Sequence, residues 1–460
     1  MQFDRRMSAA ETLMWRLDRD PAMSSTFANV TLLDRAIDVD RFRRRLDRAS
    51  HLVARLRQRV HETPANLAPP VWVDVAEFDI TDHVLEYDRP VRDTRGVLDV
   101  ATEICNEPFD RRRPLWSFVV INGLDRGQSA VIEKLHHTVV DGEGGVKLSL
   151  QFVDFERDAP EPPPLSAAEI QAAPPPSPPP SSPLDPLRDL LGEGFRMSLN
   201  ITEKTAEFLL DPRRIPKAGS RAITATRAIA EQLTDVDKAR SPLWTTRSLE
   251  RRFETLRCPL EPVKRAAKSW GGTLNTAFLT AATDAAGAYH RALGAPTDAL
   301  RASMAISTRT NESGANAFSL ARFVVPTGEM EIAARFAAVL AVTTQARAAS
   351  NKANLELLAK VATRLPTPLV QRLARQQAQT VDFATSNVKA APFALYIAGA
   401  RILENYGMGP LAGVAFNLTL LSYAGSLDMG VNIDRAAVSE PGLLRDCLEA
   451  SFAALVEEGA

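Results

Sequence analysis

His136-His137-Thr138-Val139-Val140-Asp141-Gly142 brings two imidazoles and a carboxylate together just before a glycine turn. Histidine suits proton transfer because its ordinary pKa, about 6.5, leaves a neutral imidazole available near pH 7. The lead-in Ala130-Val131-Ile132-Glu133-Lys134-Leu135 predicts a strand, and Gly142-Glu143-Gly144-Gly145 before Val146, Leu148 and Leu150 predicts a turn and a helix. Neighbouring side chains on a strand point to opposite faces, so one histidine looks into a cavity and the other supports it. Asp141 approaches the His137 ring if the backbone coils at once; if the backbone turns away, it ion-pairs with an arginine and fixes the loop. Two plainer readings compete: ordinary packing at a strand end, or a metal site completed by Asp141 and Glu143. The separate faces disfavour the metal, and no other His or Cys stands at ligand spacing, so no metal is expected.

These elements need a body large enough to hold them. The chain has 460 residues, 45% hydrophobic and 24% charged, which suffices for two cores and exceeds a comfortable single one. Lys+Arg of 55 against Asp+Glu of 56 leaves a formal net charge of -1, which argues against nucleic acid as a partner. Cys105, Cys258 and Cys447 form no Cys-x-x-Cys pattern, so neither a disulfide framework nor a zinc ribbon is expected, and a reducing cytoplasm fits. No apolar run reaches the roughly 18 residues of a membrane span, and Met1 to Ala10 has no signal-peptide core. Any membrane contact is therefore expected to be peripheral.

The clearest boundary is the proline-rich stretch 159–183, which favours extended conformations and cannot build a core. It separates a first lobe, 1–158, from a helical crossover, 184–240, and a second lobe, 241–460. Phe42, Leu46, Ala49, Val53 and Leu56 recur at helical spacing, with Arg41, Arg44, Arg45, Arg48, Arg55 and Arg59 on the other faces. That helix reads first as a solvated face, and second as a basic surface for CoA phosphates or an anionic membrane. Leu184, Leu187, Leu190, Leu191 and Phe195 predict an amphipathic helix, a bridge between lobes or a membrane-resting surface. Strands are predicted at 71–73, 118–121 and 302–307, with two more within 416–433 around Ala424-Gly425. Helices are predicted at 260–270, 274–293 and 442–457. Both halves thus mix α and β, an α+β class. Gly407-Met408-Gly409-Pro410 fails as a dinucleotide loop, since no third glycine follows in place. Gly-x-Ser-x-Gly and P-loop patterns are absent.

With these segments in view, the chain resembles the bacterial wax ester synthase/acyl-CoA:diacylglycerol acyltransferase family, related in fold to chloramphenicol acetyltransferase and the condensation domains. The resemblance spans nearly the whole chain. It rests on Met7-Ser8-Ala9-Ala10-Glu11 with Pro21 and Met23, on Pro114-Leu115-Trp116, and on the His136 to Gly142 segment. In the second half it rests on Gly272-Thr273-Leu274-Asn275, Ile306-Ser307-Thr308-Arg309, Ser386-Asn387-Val388, Leu395 to Ala400, and Asn417-Leu418-Thr419 with Ser422-Tyr423.

The resemblance implies two chloramphenicol acetyltransferase-like lobes around a central channel that takes acyl-CoA as co-substrate and a hydroxyl acceptor, with no further cofactor. It implies His137 as general base, His136 as its neighbour and Asp141 as a structural residue, with Arg309 the candidate partner. Gly142, Asn275 and Arg309 are candidates for the channel, and Pro114, Leu115 and Trp116 support the site. The implied partners are acyl-CoA and a diacylglycerol or long-chain alcohol, at a membrane or lipid-droplet surface; the amphipathic Leu184 to Phe195 stretch and the basic helix from Arg41 to Arg59 predict peripheral attachment to anionic surfaces that weakens as salt rises. Two departures stand out. Asn275-Thr276 replaces the usual Asn-Asp, removing a carboxylate, and Lys389-Ala390 replaces Pro-Gly after Ser386-Asn387-Val388, which should loosen a loop. Thr273 and Asn275 also read as helix caps. The competing readings are a catalytically weak lipid-binding protein of the same fold, supported by Thr276, and a condensation-type acyltransferase with another acceptor.

Overall fold

The computed structural model describes residues 4–63, 68–140, 142–166, 168–169, 177, 239–307, 318–350, 359, 363 and 365–459. Within them the first sheet is built on β1 (Thr26–Leu33), β4 (Val84–Glu86), β5 (Trp116–Asn122) and β6 (Ser129–His136). A separate ribbon pairs β2 (Gln58–His61) with β3 (Val71–Asp74). The second sheet holds β7 (Arg251–Pro259), β8 (Ala299–Ser307), β9 (Phe318–Pro326), β10 (Phe383–Lys389), β13 (Phe416–Tyr423) and β14 (Ser426–Asp434) in the order β7-β14-β13-β10-β8-β9. The short strands β11 (Tyr396–Ile397) and β12 (Ala400–Met408) come from the second half of the chain. They join the first sheet, whose order is β11-β12-β1-β6-β5-β4.

The lobes are therefore not sequence halves. β12 runs antiparallel to β1, from Ala28 opposite Met408 to Leu33 opposite Ile402, and also lies across β13 and β14. Glycine makes that crossing possible. A Cβ on Gly430 would sit 2.2 Å from the Gly407 carbonyl oxygen, and one on Gly407 would sit 2.7 Å from Thr419 Cγ2. Beyond the crossing, the Asn432 and Asn417 side-chain amides donate to the Gly409 and Pro410 carbonyls, each at 2.8 Å. The Gly407 to Pro410 segment, with its false likeness to a nucleotide loop, is the seam between the sheets.

Helices cover the outer surfaces. α1 (Ala9–Leu17), α2 (Val39–Leu52), α3 (Thr94–Asn106) and α4 (Gly142–Ser149) serve the first sheet. α2 inserts Phe42 and Leu46, both fully buried, against Phe118 and Phe152. It stops at Leu52, before the 3-10 turn Ala54–Arg57, so the helical spacing seen through Leu56 overruns its end. On the second sheet, the alanine-rich helix Leu274–Ala292 packs on Ile332–Ser350 and Pro441–Glu458. Ala424 and Gly425, at φ 45° and 86°, close the β13–β14 hairpin with the left-handed backbone that a tight two-residue turn needs.

The basic face of α2 is partly solvated, with Arg44 exposed, and its arginines are paired within the chain. Arg45 ion-pairs with Asp154 at 2.6 Å, both buried, Arg44 with Glu161, and Arg48 with Glu169, while Arg41 donates to the Ala159 carbonyl. These arginines hold down the start of the proline-rich stretch; farther along it the Ser177 carbonyl accepts from the Asp74 backbone N–H, and the Ser177 N–H donates to the Asp74 carboxylate at 2.7 Å. Most of the 184–240 crossover, including the Leu184 to Phe195 pattern, lies outside the described residues.

The crossing gives a direct test. Gly430→Ala should destabilise the folded protein by about 1–3 kcal/mol through forced overpacking, lowering the melting temperature. Gly442→Ala, whose new methyl meets no atom within 4 Å, should be close to neutral. Equal melting temperatures for the two variants would contradict the close approach of β12 to β14.

Candidate active site

The first sheet ends its chemistry at the C-terminus of β6. His136 donates its backbone N–H to the Leu115 carbonyl at 3.1 Å and His137 to the Ser25 carbonyl at 3.1 Å, after which Val139 N–H returns to the His136 carbonyl and the chain turns. The opposite-face expectation for the two histidines holds in the structure. His136 is 1% exposed and sits edge-on to Trp15, whereas His137 is half-buried with its ring 4.6 Å from that of Phe27. They do not converge on a common point, as a shared metal would require.

His136 is fixed by short bonds. The Thr138 hydroxyl and backbone N–H both approach its Nδ1, at 2.7 and 3.2 Å, which assigns Nδ1 as acceptor and leaves the proton on Nε2. Nε2 lies 3.3 Å from Asp18 Oδ1. Asp18 also accepts from Ser24 Oγ at 2.8 Å and pairs with Arg111 at 3.2 Å; Arg111 lies over the Trp15 ring. Burial alone would raise the Asp18 carboxyl, but His136, Ser24 and Arg111 outweigh it and hold the group below the ordinary carboxylate value. The opening sequence motif builds this support: Ser8 and Glu11 form a reciprocal capping box that starts α1, and Asp18 is its C-cap. No sequence signal links Asp18 or Arg111 to His136.

Pro114-Leu115-Trp116 sits directly beneath. The Leu115 carbonyl receives the His136 N–H, and buried Trp116 donates its indole N–H to the Leu56 carbonyl at 2.8 Å while stacking on His83. Gly142 begins α4, whose far side lies against β10 of the second sheet. Asp141 and Arg309 fall outside the described residues, so the pairing expected between them does too.

β10 of the second sheet carries another of the sequence motifs. Asn387 donates its amide to Asn275 Oδ1, joining two motifs more than a hundred residues apart. Thr273, rather than Asn275, caps the helix Leu274–Ala292. Thr276 completes the capping box, its Oγ1 accepting from Thr273 N–H. Thr276 thus has a structural part at that position, as the third residue of the capping box. The expected loosening after Val388 is also corrected: β10 continues in register to Lys389 opposite Ser422, and Ala390 N–H reaches the Ser422 carbonyl at 3.1 Å. Pairing with β13 fixes that backbone without Pro-Gly.

One face of the first sheet is partly open. Phe27 and Asn29 on β1, Glu133 on β6 and Asn405 on β12 are half-buried, while Ala28, Val30, Ile132 and Leu135 beside them are fully buried. By register this strip runs from His137 past Phe27 to Asn29 and Glu133, which stand opposite one another.

Two sheets joined by a strand exchange are the architecture of the two-lobed acyltransferases. Residues 4–278 match the family model described as the wax ester synthase/diacylglycerol acyltransferase catalytic domain, and residues 314–456 match the WS/DGAT C-terminal domain. The chain belongs to that family and is an acyl-CoA-dependent O-acyltransferase. It is 34% identical to a Mycobacterium tuberculosis H37Rv protein assigned the name diacylglycerol O-acyltransferase, over 97% of this chain and 90% of the relative. Its fold matches the wax ester synthase/diacylglycerol acyltransferase of Marinobacter aquaeolei VT8 at a TM-score of 0.66, with 21% identity over 99% of each chain. It also matches the trichothecene 15-O-acetyltransferase of Fusarium sporotrichioides at 0.65, with 11% identity over 98% and 94% of the two chains.

Asp18 supplies a pH test. Because its folded pKa is depressed below 3.8, its stabilising contribution is complete above that value and is lost as pH falls through the folded pKa. The melting-temperature gap between wild type and Asp18→Asn should therefore be widest near neutrality and close below about pH 4. A gap that stays constant from neutrality to pH 3 would remove Asp18 from an ionised network.

Proposed function

We propose that the chain moves a fatty acyl group from acyl-CoA to the hydroxyl of a diacylglycerol or a long-chain alcohol, forming triacylglycerol or wax ester, with His137 as general base. The observation that carries this reading is the placement of His137: half-buried at the end of β6, on the face opposite the fixed His136, at the head of the partly open strip. His137 takes the hydroxyl proton as the oxygen attacks the thioester carbon. The C–S bond then breaks and the proton passes to the departing sulfur, giving ester and free CoA. No covalent acyl-enzyme and no cofactor beyond acyl-CoA is needed. Base catalysis contributes roughly 10²–10⁴ in rate, so alignment of two bound substrates, worth up to about 7–11 kcal/mol, carries much of the rest. Asn275, its oxygen engaged by Asn387, keeps its amide hydrogens for the developing oxyanion. Asp141, paired with Arg309, would hold the turn that carries Gly142.

Labelled palmitoyl-CoA offered with diacylglycerol, with hexadecanol and with neither tests the reaction; labelled triacylglycerol or wax ester is expected, and release of free fatty acid alone would overturn it. His137→Ala should lower transfer about 10²–10⁴-fold with little change in melting temperature. His136→Ala, which empties a buried and bonded position, should act mainly by lowering stability. Equal small effects of both substitutions on folded enzyme would sink the base assignment.

The same reading places the enzyme at a lipid surface. Among the described residues no helix is long and apolar enough to cross a membrane. Leu150 is 49%, Phe155 67% and Phe393 50% exposed, with the two phenylalanine rings 5.9 Å apart near the end of α4. Since the α2 arginines are engaged by Asp154, Glu161 and Glu169, attachment here leans on apolar insertion more than on charge. Flotation with diacylglycerol-containing vesicles should therefore show binding that weakens only modestly as salt rises, and that drops on Phe155→Ser with Phe393→Ser. Protein unbound on neutral and anionic vesicles alike would refute the surface role.

A further inference from the structure

Glu133 is the one residue of β6 that is not fully buried, and its place is unusual for a carboxyl group. Phe118 beside it on β5 belongs to the aromatic core with Phe42 and Phe152. Asn29 faces it from β1, and one strand farther across, Gly407 touches the second sheet. Glu133 thus stands where the helix-covered part of the sheet gives way to the seam between the lobes. Its Oε1 is shielded from solvent yet has no hydrogen-bond partner among the described residues. The nearby amides do not serve it: Asn29 Nδ2 donates to Asn405 Oδ1 at 2.6 Å and to Thr31 Oγ1 at 3.2 Å. Burial pushes the Glu133 carboxyl up to about 8, so near pH 7 it is largely uncharged and offers one O–H donor and one carbonyl acceptor.

We infer that Glu133, flanked by Asn29 and Asn405, is a specificity-determining subsite on the channel wall that hydrogen-bonds an uncharged oxygen, a hydroxyl or carbonyl, carried part-way along a bound aliphatic chain. The inference rests on the strip beside His137 being the lipid path. A buried polar group is costly only when left unpaired; a plain hydrocarbon passing Glu133 leaves it so, and a chain with an oxygen at the right depth does not. The register sets that depth. Glu133 lies four residues before His137, on the same face, about 13 Å at roughly 3.3 Å per strand residue. With C–C bonds of about 1.5 Å in zigzag, that corresponds to on the order of ten carbons from the reacting atom.

The oxygen can come from the acyl donor or from the acceptor, and two assay arms separate them. In one, 10-hydroxyoctadecanoyl-CoA competes with octadecanoyl-CoA for transfer to hexadecanol. In the other, decane-1,10-diol competes with decan-1-ol for an octadecanoyl group. Wild type should prefer the oxygenated chain about ten-fold or more in the arm whose chain lies along the strip. Glu133→Leu should erase or reverse that preference while the plain chain is used as well or better. Glu133→Gln, which keeps a donor and an acceptor, should retain it, and Glu133→Ala provides a second apolar replacement if the leucine does not fold. Melting shifts with each acyl-CoA or alcohol alone read the same preference without turnover. An enzyme that transfers to none of these alcohols therefore counts against the proposed reaction, and the subsite is still judged by binding. Absence of preference in both arms and in the melting shifts, or a preference that survives loss of the carboxyl, overturns the inference.

Discussion

The site depends on one backbone contact, the passage of β12 between the sheets. β12 supplies hydrogen bonds to β1 while its own backbone rests against β14, with Gly407 and Gly430 meeting at a distance that admits no side chain. Packed interiors have little slack, so a contact this close fixes the relative position of everything built on the two sheets. The first sheet carries the strand end at His136 and His137, and the second carries Asn387, which bonds to Asn275. Direct transfer between two bound substrates needs that kind of fixed geometry, because much of its rate comes from alignment rather than from the base.

The support beneath the histidines follows a similar economy. His136 is occupied by Thr138 and Asp18, Asp18 by Ser24 and Arg111, and the strand end by the Leu115 carbonyl. His136 and Asp18 each have a polar or charged neighbour, which lowers the cost of sinking charge and imidazole into the core. The opposite side is arranged differently: His137 leans on an aromatic ring, and beyond it lies a track of half-buried residues in which the Glu133 Oε1 has no partner among the described residues. One strand thus separates a satisfied structural network from an open chemical face through the alternation of its side chains.

Charge on the outer surface also has local employment. The arginines of α2 look, by spacing, like a basic patch for an anionic partner. In the folded chain they are spent on Asp154, Glu161, Glu169 and the Ala159 carbonyl, tethering the stretch that leads away from the first lobe. A helical wheel shows which residues share a face but not which distant acids will lie across it.

Much was legible in the sequence because it is local. Alternation and turn residues marked β6, the β13–β14 hairpin and the helices Leu274–Ala292 and Pro441–Glu458, since strand and helix periods are properties of neighbouring residues. The motif order marked the family, and strand alternation placed the rings of His136 and His137 on opposite faces. What the sequence could not hold is pairing between residues far apart. Neither Asp18 beneath His136, nor Asn387 on Asn275, nor the α2 arginines on the proline-rich stretch leaves a periodic trace, because each bond depends on how whole elements dock. Thr276 shows the same limit at short range: read as a missing carboxylate, it is a helix cap once the helix start is seen. The membership of β12 in the first sheet was decided only by tertiary structure, where a strand's hydrogen-bonding groups are satisfied by the edge it meets, wherever in the chain that edge arose.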